Sequence, residues 1–199
     1  MFREVVERLD PGRRFLPTTA FGPRFYAHAA NFGDGLHHLV HGPWGMGACG
    51  DMAGWKDYWS RDDSLFRAEV GMPGAADLDV IRRYRGEDPW WPPTGPSGRV
   101  WRHSCAWWVD WERHRRRFEG LEAEEALRRY VEHTQAEQAE ALAFAAEACK
   151  RRFPACGGFI VWHGHDCFPC LINNSLLDLA RNRKPAYAAL RDVFRGAGR

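Results

Sequence analysis

Leu65-Phe66-Arg67-Ala68-Glu69-Val70-Gly71 has the composition of a buried strand, stopped by Gly71-Met72-Pro73-Gly74, and yet it carries a carboxylate. Burying that carboxylate costs several kcal/mol unless it is paired or hydrogen-bonded. Two readings follow. Arg67 lies two residues away, on the same strand face, and can hold Glu69 in an ordinary ion pair. Alternatively, Glu69 is aimed into a polar pocket, where a carboxylate can act on a ligand.

The flanking sequence sets this strand in an alternating fold. Between Leu121 and Lys150, Leu127, Tyr130, Val131, Thr134, Ala141, Leu142, Ala145, Ala148 and Cys149 recur at spacings of three and four, which predicts one long helix. It ends before Pro154, and Gly157-Gly158-Phe159-Ile160-Val161-Trp162 reads as another buried strand. A last helix begins at Pro185, where proline suits the first turn, and runs to about Arg195. Upstream, Arg14 to Thr18 and Leu36 to His41 read as two more strands, Met52 to Trp59 and Ala76 to Tyr84 as helices, and Pro89 to Gly98 as a Pro/Gly/Trp-rich insertion. Strands separated by helices mean an α/β fold with parallel strands. About four strand–helix units fit in the 199 residues, whereas a complete eight-stranded barrel needs about 250. The reading is therefore the C-terminal half of a (β/α)8 TIM barrel, one partial domain over residues 1–199.

Composition narrows the partners. With 28 basic and 26 acidic residues the net charge is +2, too balanced for a protein that grips a phosphate backbone, so no nucleic acid is expected. No stretch approaches the roughly 20 apolar residues of a membrane span, and none is expected to enter one. Met1 to Leu9 lacks the apolar core of a signal peptide, which points to the cytoplasm by default, and it reads as the end of an amphipathic helix belonging to a larger fold. Ten Trp residues are many for this length. Tryptophan fills cores, but it also grips flat apolar faces, such as those of sugar rings.

In α/β barrels the chemistry sits at the C-terminal ends of the strands. Three segments place polar or aromatic residues there: His37, His38 and His41 with Trp44; Glu69; and Trp162 followed by His163, His165 and Asp166.

The same residues resemble the catalytic barrel of glycoside hydrolase family 2, the β-mannosidase, β-galactosidase and β-glucuronidase group. Leu65 to Gly71 looks like the family's nucleophile strand. Leu9-Asp10-Pro11 with Arg13-Arg14-Phe15 is similar to its exit from the helix after the fourth strand. Gly158-Phe159-Ile160-Val161-Trp162 resembles its final strand, and Arg183-Lys184-Pro185-Ala186-Tyr187-Ala188-Ala189-Leu190 the start of its last helix. These motifs keep the family order from Leu9 to Arg195, nearest to the β-mannosidase branch. The resemblance implies a retaining β-glycosidase segment with Glu69 as nucleophile. His37, His38, His41, Trp44, Trp162 and Asp166 would contact the sugar, and no cofactor or metal is implied. The family's acid/base Glu follows an Asn upstream of the opening helix, and no Asn-Glu pair occurs in this sequence. The expected partners are thus a β-glycoside and, across open strand edges, either a second copy or the missing N-terminal half.

Two other classes stay open. A carbohydrate-binding remnant would use the Trp and His residues without a proton donor. A zinc-binding α/β domain would use His163, His165, Cys167 and Cys170, with Cys156 nearby, although a single Cys-x-x-Cys is a weak signal. The six cysteines also allow disulfides whose pairing the sequence does not fix.

Overall fold

The computed structural model describes residues 1–47, 49–87, 89, 91 and 109–196. The predicted insertion at 89–98 and Cys105 lie wholly or mostly outside them. In chain order the elements are α1 (Phe2–Leu9), β1 (Leu39–His41), α2 (Met52–Arg61), β2 (Phe66–Val70), β3 (Gly74–Ala75), α3 (Leu78–Tyr84), α4 (Trp111–Arg117), α5 (Ala123–Arg151), β4 (Phe159–Val161), β5 (Ile172–Asn173) and α6 (Pro185–Arg195).

The fold is mixed α/β around a parallel sheet in the order β1-β2-β4, beside a short antiparallel ladder of β3 and β5. Strand β2 is its centre: Val40, Arg67 and Val70 are fully buried, and β2 is hydrogen-bonded on both sides. Among the described residues the parallel strands number three, not the four expected. The strand read at Arg14 to Thr18 is not one. Pro17 offers no N–H for a ladder, and the chain meets the outer edge of β1 only later, in single bridges at Phe21 and Tyr26. The buried strand read at 157–162 is shorter and half-exposed, because β4 lies on the sheet's edge and Ile160 is 52% exposed.

Helices close over the sheet by ordinary local rules. Asp51 caps α2 by accepting from the Gly54 amide at 2.8 Å, and the helix buries Trp55, Tyr58 and Trp59. The Trp55 indole donates to the Ala141 carbonyl of α5 at 2.9 Å, tying the two helices together. Truncating a tryptophan so buried costs about 3–5 kcal/mol. Along α5 the small residues Ala141, Ala145, Ala146 and Ala148 let α2 and α6 pack close, while Leu127, Tyr130 and Val131 nearer its start face a second cluster with Val80, Ile81 and Ile172. Lys184, just before α6, is buried, and it donates to the Gly74 and Asn173 carbonyls and the Ser175 hydroxyl, so that it pins the β3–β5 ladder. By contrast α1 buries nothing.

His114 on α4 is 2% exposed, against Tyr130 and His133. Burial, reinforced by the charge of Arg113, pushes its pKa down to about 4. The unfolded chain takes up this proton near the usual value of 6.5, and the folded chain only near 4. Between those values the unfolded state binds more protons, so stability falls as pH falls, by up to about 3 kcal/mol from this group. Urea titrations at pH 7 and pH 4.5 are expected to show that loss, and His114→Phe to reduce it.

Candidate active site

Three strand ends meet at one face of the sheet. His41 ends β1, Glu69 is next to last in β2, and Trp162 follows β4. Backbone bonds lock them together: the Gly42 amide donates to the Glu69 carbonyl at 2.6 Å, Gly71 to Pro43 at 3.0 Å, and Trp162 to Val70 at 2.8 Å. Gly71 must be glycine. A Cβ there would lie 2.5 Å from the Asn174 amide nitrogen and 2.8 Å from the Trp162 carbonyl, so any side chain would prise the strand ends apart.

Glu69 is partly open to solvent, and its Oε1 lies 3.7 Å from Nε2 of His41, too far for a hydrogen bond. That nitrogen has no hydrogen-bond partner among the described residues. Trp162, whose amide is bonded to Val70, is 43% exposed, and the Trp44 ring stands 6.3 Å from the His41 ring.

Arg67 is not the partner of Glu69. Its guanidinium is wholly buried, donates to Asp62 at 2.5 Å, to the Gly42 carbonyl at 2.8 Å and to the Tyr58 hydroxyl at 2.8 Å, and packs over the Trp59 ring. Burial alone would raise the Asp62 carboxyl, but the charge and hydrogen bonds of Arg67, with Arg152 and Ser64, outweigh it and hold Asp62 below the usual range. Asp62 follows α2, and nothing in the strand pattern at 65–71 pointed to it.

Of the remaining site expectations, three need correction. His37 precedes β1, at the sheet's opposite end, where its Nδ1 meets Asp63 at 2.6 Å and its ring is buried. His38 is at that same end, exposed and packed on Gly22. Asp166 is 1% exposed, and its oxygens accept from Asn173 at 3.0 Å and Ser175 at 2.9 Å, so it shapes the loop after β4 rather than facing a ligand. The zinc cluster does not assemble either. His163 Nδ1 is turned to the His165 carbonyl, Cys170 is buried against Asn173, Cys167 is exposed, and among the described residues no group of three or more His, Cys, Asp or Glu is placed to hold a metal. Cys49, Cys149, Cys156, Cys167 and Cys170 are free thiols.

Two cavities open beside this face. One, of about 310 Å³, is lined by Tyr26, His28, His41, Pro43, Trp44 and Tyr58. Across Gly47 lies another of about 310 Å³, polar, with Arg113, His114 and Glu137 in its wall and the Arg113–Glu137 pair closed by two bonds of 2.8 Å. Tyr26, whose ring meets Trp44 edge-on at 5.8 Å, had no signal in the sequence beyond being aromatic.

No family model matches this chain, and no curated protein does either. Solved structures do. One is the crystal structure of the β-D-mannosidase from Dictyoglomus thermophilum, with a TM-score of 0.68 and 21% sequence identity. The likeness covers 97% of this chain and 22% of that one, so the chain spans well under a third of that enzyme's length. At this identity what is shared is the fold: a parallel sheet with its helices, arranged as in a segment of a β-mannosidase.

Proposed function

We propose that this chain is part of the catalytic barrel of a retaining β-glycosidase of the β-mannosidase kind, with Glu69 as the nucleophile. The observation that carries the reading is the setting of Glu69: a carboxylate with no ion pair to a cation on its own strand, at the C-terminal end of the central parallel strand, 3.7 Å from an unpartnered imidazole. The fold likeness and the order of the sequence motifs support it. In such a reaction Glu69 attacks the anomeric carbon and becomes a glycosyl ester, while a second carboxyl about 5–5.5 Å away protonates the departing oxygen. In this reading His41 lies beside the sugar, and the exposed face of Trp162 supports the ring. The resemblance puts the proton donor on an upstream strand. The half-exposed outer face of β4, where Ile160 lies open, is suited to covering by further strands.

A sugar-binding role without hydrolysis is the second reading, favoured by the lack of an Asn-Glu pair. One experiment separates the two. Activated 2-deoxy-2-fluoro β-glycosides with manno, galacto and glucurono configurations, incubated with the chain, are expected to add one fluoroglycosyl group to the peptide containing Glu69, read by mass spectrometry. Glu69→Gln is expected to abolish the adduct. A chain that binds these sugars and forms no adduct at Glu69 is a lectin, not a glycosidase.

A further inference from the structure

At the end of the sheet away from Glu69, the turn that follows α5 brings two thiols together. Beyond Arg151 the chain folds back on the helix end: the Arg152 amide donates to the Cys149 carbonyl at 3.1 Å, Phe153 to Lys150 at 3.2 Å and Cys156 to Arg152 at 3.1 Å. The Gly157 amide then donates to the Leu65 carbonyl at 2.7 Å, just before β2 begins. Cys156 is thereby returned beside Cys149, and the two thiols are hydrogen-bonded to each other. Each is only 3% exposed, yet both line a cavity of about 410 Å³ that has the exposed Phe153 and Phe194 in its wall. A small solute can reach them through it.

The surroundings make the pair unequal. The Arg152 guanidinium lies 3.9 Å from the Cys149 sulfur and also bonds Asp62 and, at 2.9 Å, the Ser64 carbonyl, so a cation is fixed beside both thiols. The hydrogen bond from Cys149, aided by Arg152, brings the Cys156 thiol down to about 6 in spite of burial. The same bond, together with burial, pushes Cys149 up. At neutral pH one sulfur is thus an anion, and its neighbour keeps a proton. Burial holds Cys49 up at about 11 and Cys170 up at about 12. The thiolate is the reactive form of cysteine, so Cys156 outpaces those two. A low pKa also weakens a thiolate as a nucleophile, but with a slope of only about 0.4–0.5, and the gain in ionisation wins.

We propose that Cys156 and Cys149 form a redox-modification site, which hydrogen peroxide converts reversibly to a disulfide. The Cys156 thiolate attacks one peroxide oxygen, the O–O bond breaks, and the departing hydroxide takes up a proton to become water. Cys156 is then a sulfenic acid. The Cys149 sulfur attacks the Cys156 sulfur, the S–O bond breaks, and the Cys149 proton leaves with the hydroxide as a second water. Two thiols have been oxidised to one disulfide and one peroxide reduced to two waters. A dithiol reverses the change by exchange. None of this depends on Glu69 being a nucleophile.

The test uses the full chain, reduced and then treated with hydrogen peroxide at pH 7. Remaining thiols are blocked with N-ethylmaleimide, and digestion with fragmentation mass spectrometry assigns each cysteine. The expected product is a Cys149–Cys156 disulfide that dithiothreitol removes, formed at least tenfold faster than Cys49 or Cys170 is oxidised. Two variants check the roles, with circular dichroism confirming that each is folded. Cys149→Ala is expected to leave Cys156 as a sulfenic acid that dimedone traps, whereas Cys156→Ala is expected to leave Cys149 as a thiol. Should either variant fail to fold, the disulfide map of the unaltered chain still decides. A disulfide between Cys167 and Cys170 while Cys149 and Cys156 stay reduced overturns the proposal. So does pairing of either residue with another cysteine, or dimedone capture at Cys149 in place of Cys156.

Discussion

Glu69→Ala is expected to abolish hydrolysis, with kcat falling at least about a thousandfold, when it is made in a protein that also supplies the proton donor. The size follows from what the residue is asked to do. Retaining hydrolysis divides one hard displacement into two easier ones, and without the carboxylate neither covalent step exists. The 199-residue chain alone is expected to show no measurable turnover of alkyl glycosides, whose leaving groups need protonation at neutral pH. Joined to an upstream segment bearing the Asn-Glu strand, it is expected to hydrolyse them. Steady-state rates of that longer protein, with and without the substitution, decide the matter. Equal rates would make Glu69 a bystander and the family resemblance misleading.

Asp62→Ala is expected to cost about 3–5 kcal/mol, a large fraction of the about 5–15 kcal/mol that holds a domain folded. The substitution strands Arg67, which is fully buried, and also removes the acceptor of Arg152 and Ser64. Much of the cost is the unpaired cation rather than the lost attraction. The double substitution Asp62→Ala with Arg67→Met is therefore expected to be more stable than Asp62→Ala alone. Chemical denaturation of the three proteins measures this. The same pair gives an acid signature: the carboxyl is held below its ordinary value, so its contribution is present above the unfolded value near 3.9 and is lost as pH falls further.

The parts of this fold that were legible are those written in local periodicity. The spacing of Leu127, Tyr130 and Ala141 gave α5, Pro185 gave the start of α6, and the run at 65–71 gave β2, because burial of one face repeats at short range. Apart from the strand misread at Arg14 to Thr18, what misled was a matter of ends and partners. His37, His38 and His41 stand within five residues, and no pattern says that β1 begins only at Leu39, which leaves two of them at the wrong end of the sheet. Arg67 was nearest to Glu69 in sequence, but full burial of a guanidinium demands a carboxylate in hydrogen-bonding reach, and the turn after α2 provides Asp62. Asp166 was expected to contact the sugar, yet its oxygens accept from Asn173 and Ser175, residues brought back by the β3–β5 ladder. Such pairings join positions whose separation along the chain carries no signal.

With Glu69 as the proposed nucleophile, the commitment of Arg67 to Asp62 bears on the reaction cycle. In a glycosyl-enzyme ester the nucleophilic oxygen carries no charge, and on hydrolysis the charge returns. Were Arg67 its counter-ion, each cycle would leave a buried guanidinium without an anion and then restore it, with the sheet straining at every turnover. With Asp62 as a permanent anion, the interior keeps its charge balance whichever covalent state Glu69 is in, and the scaffold need not move while the chemistry does.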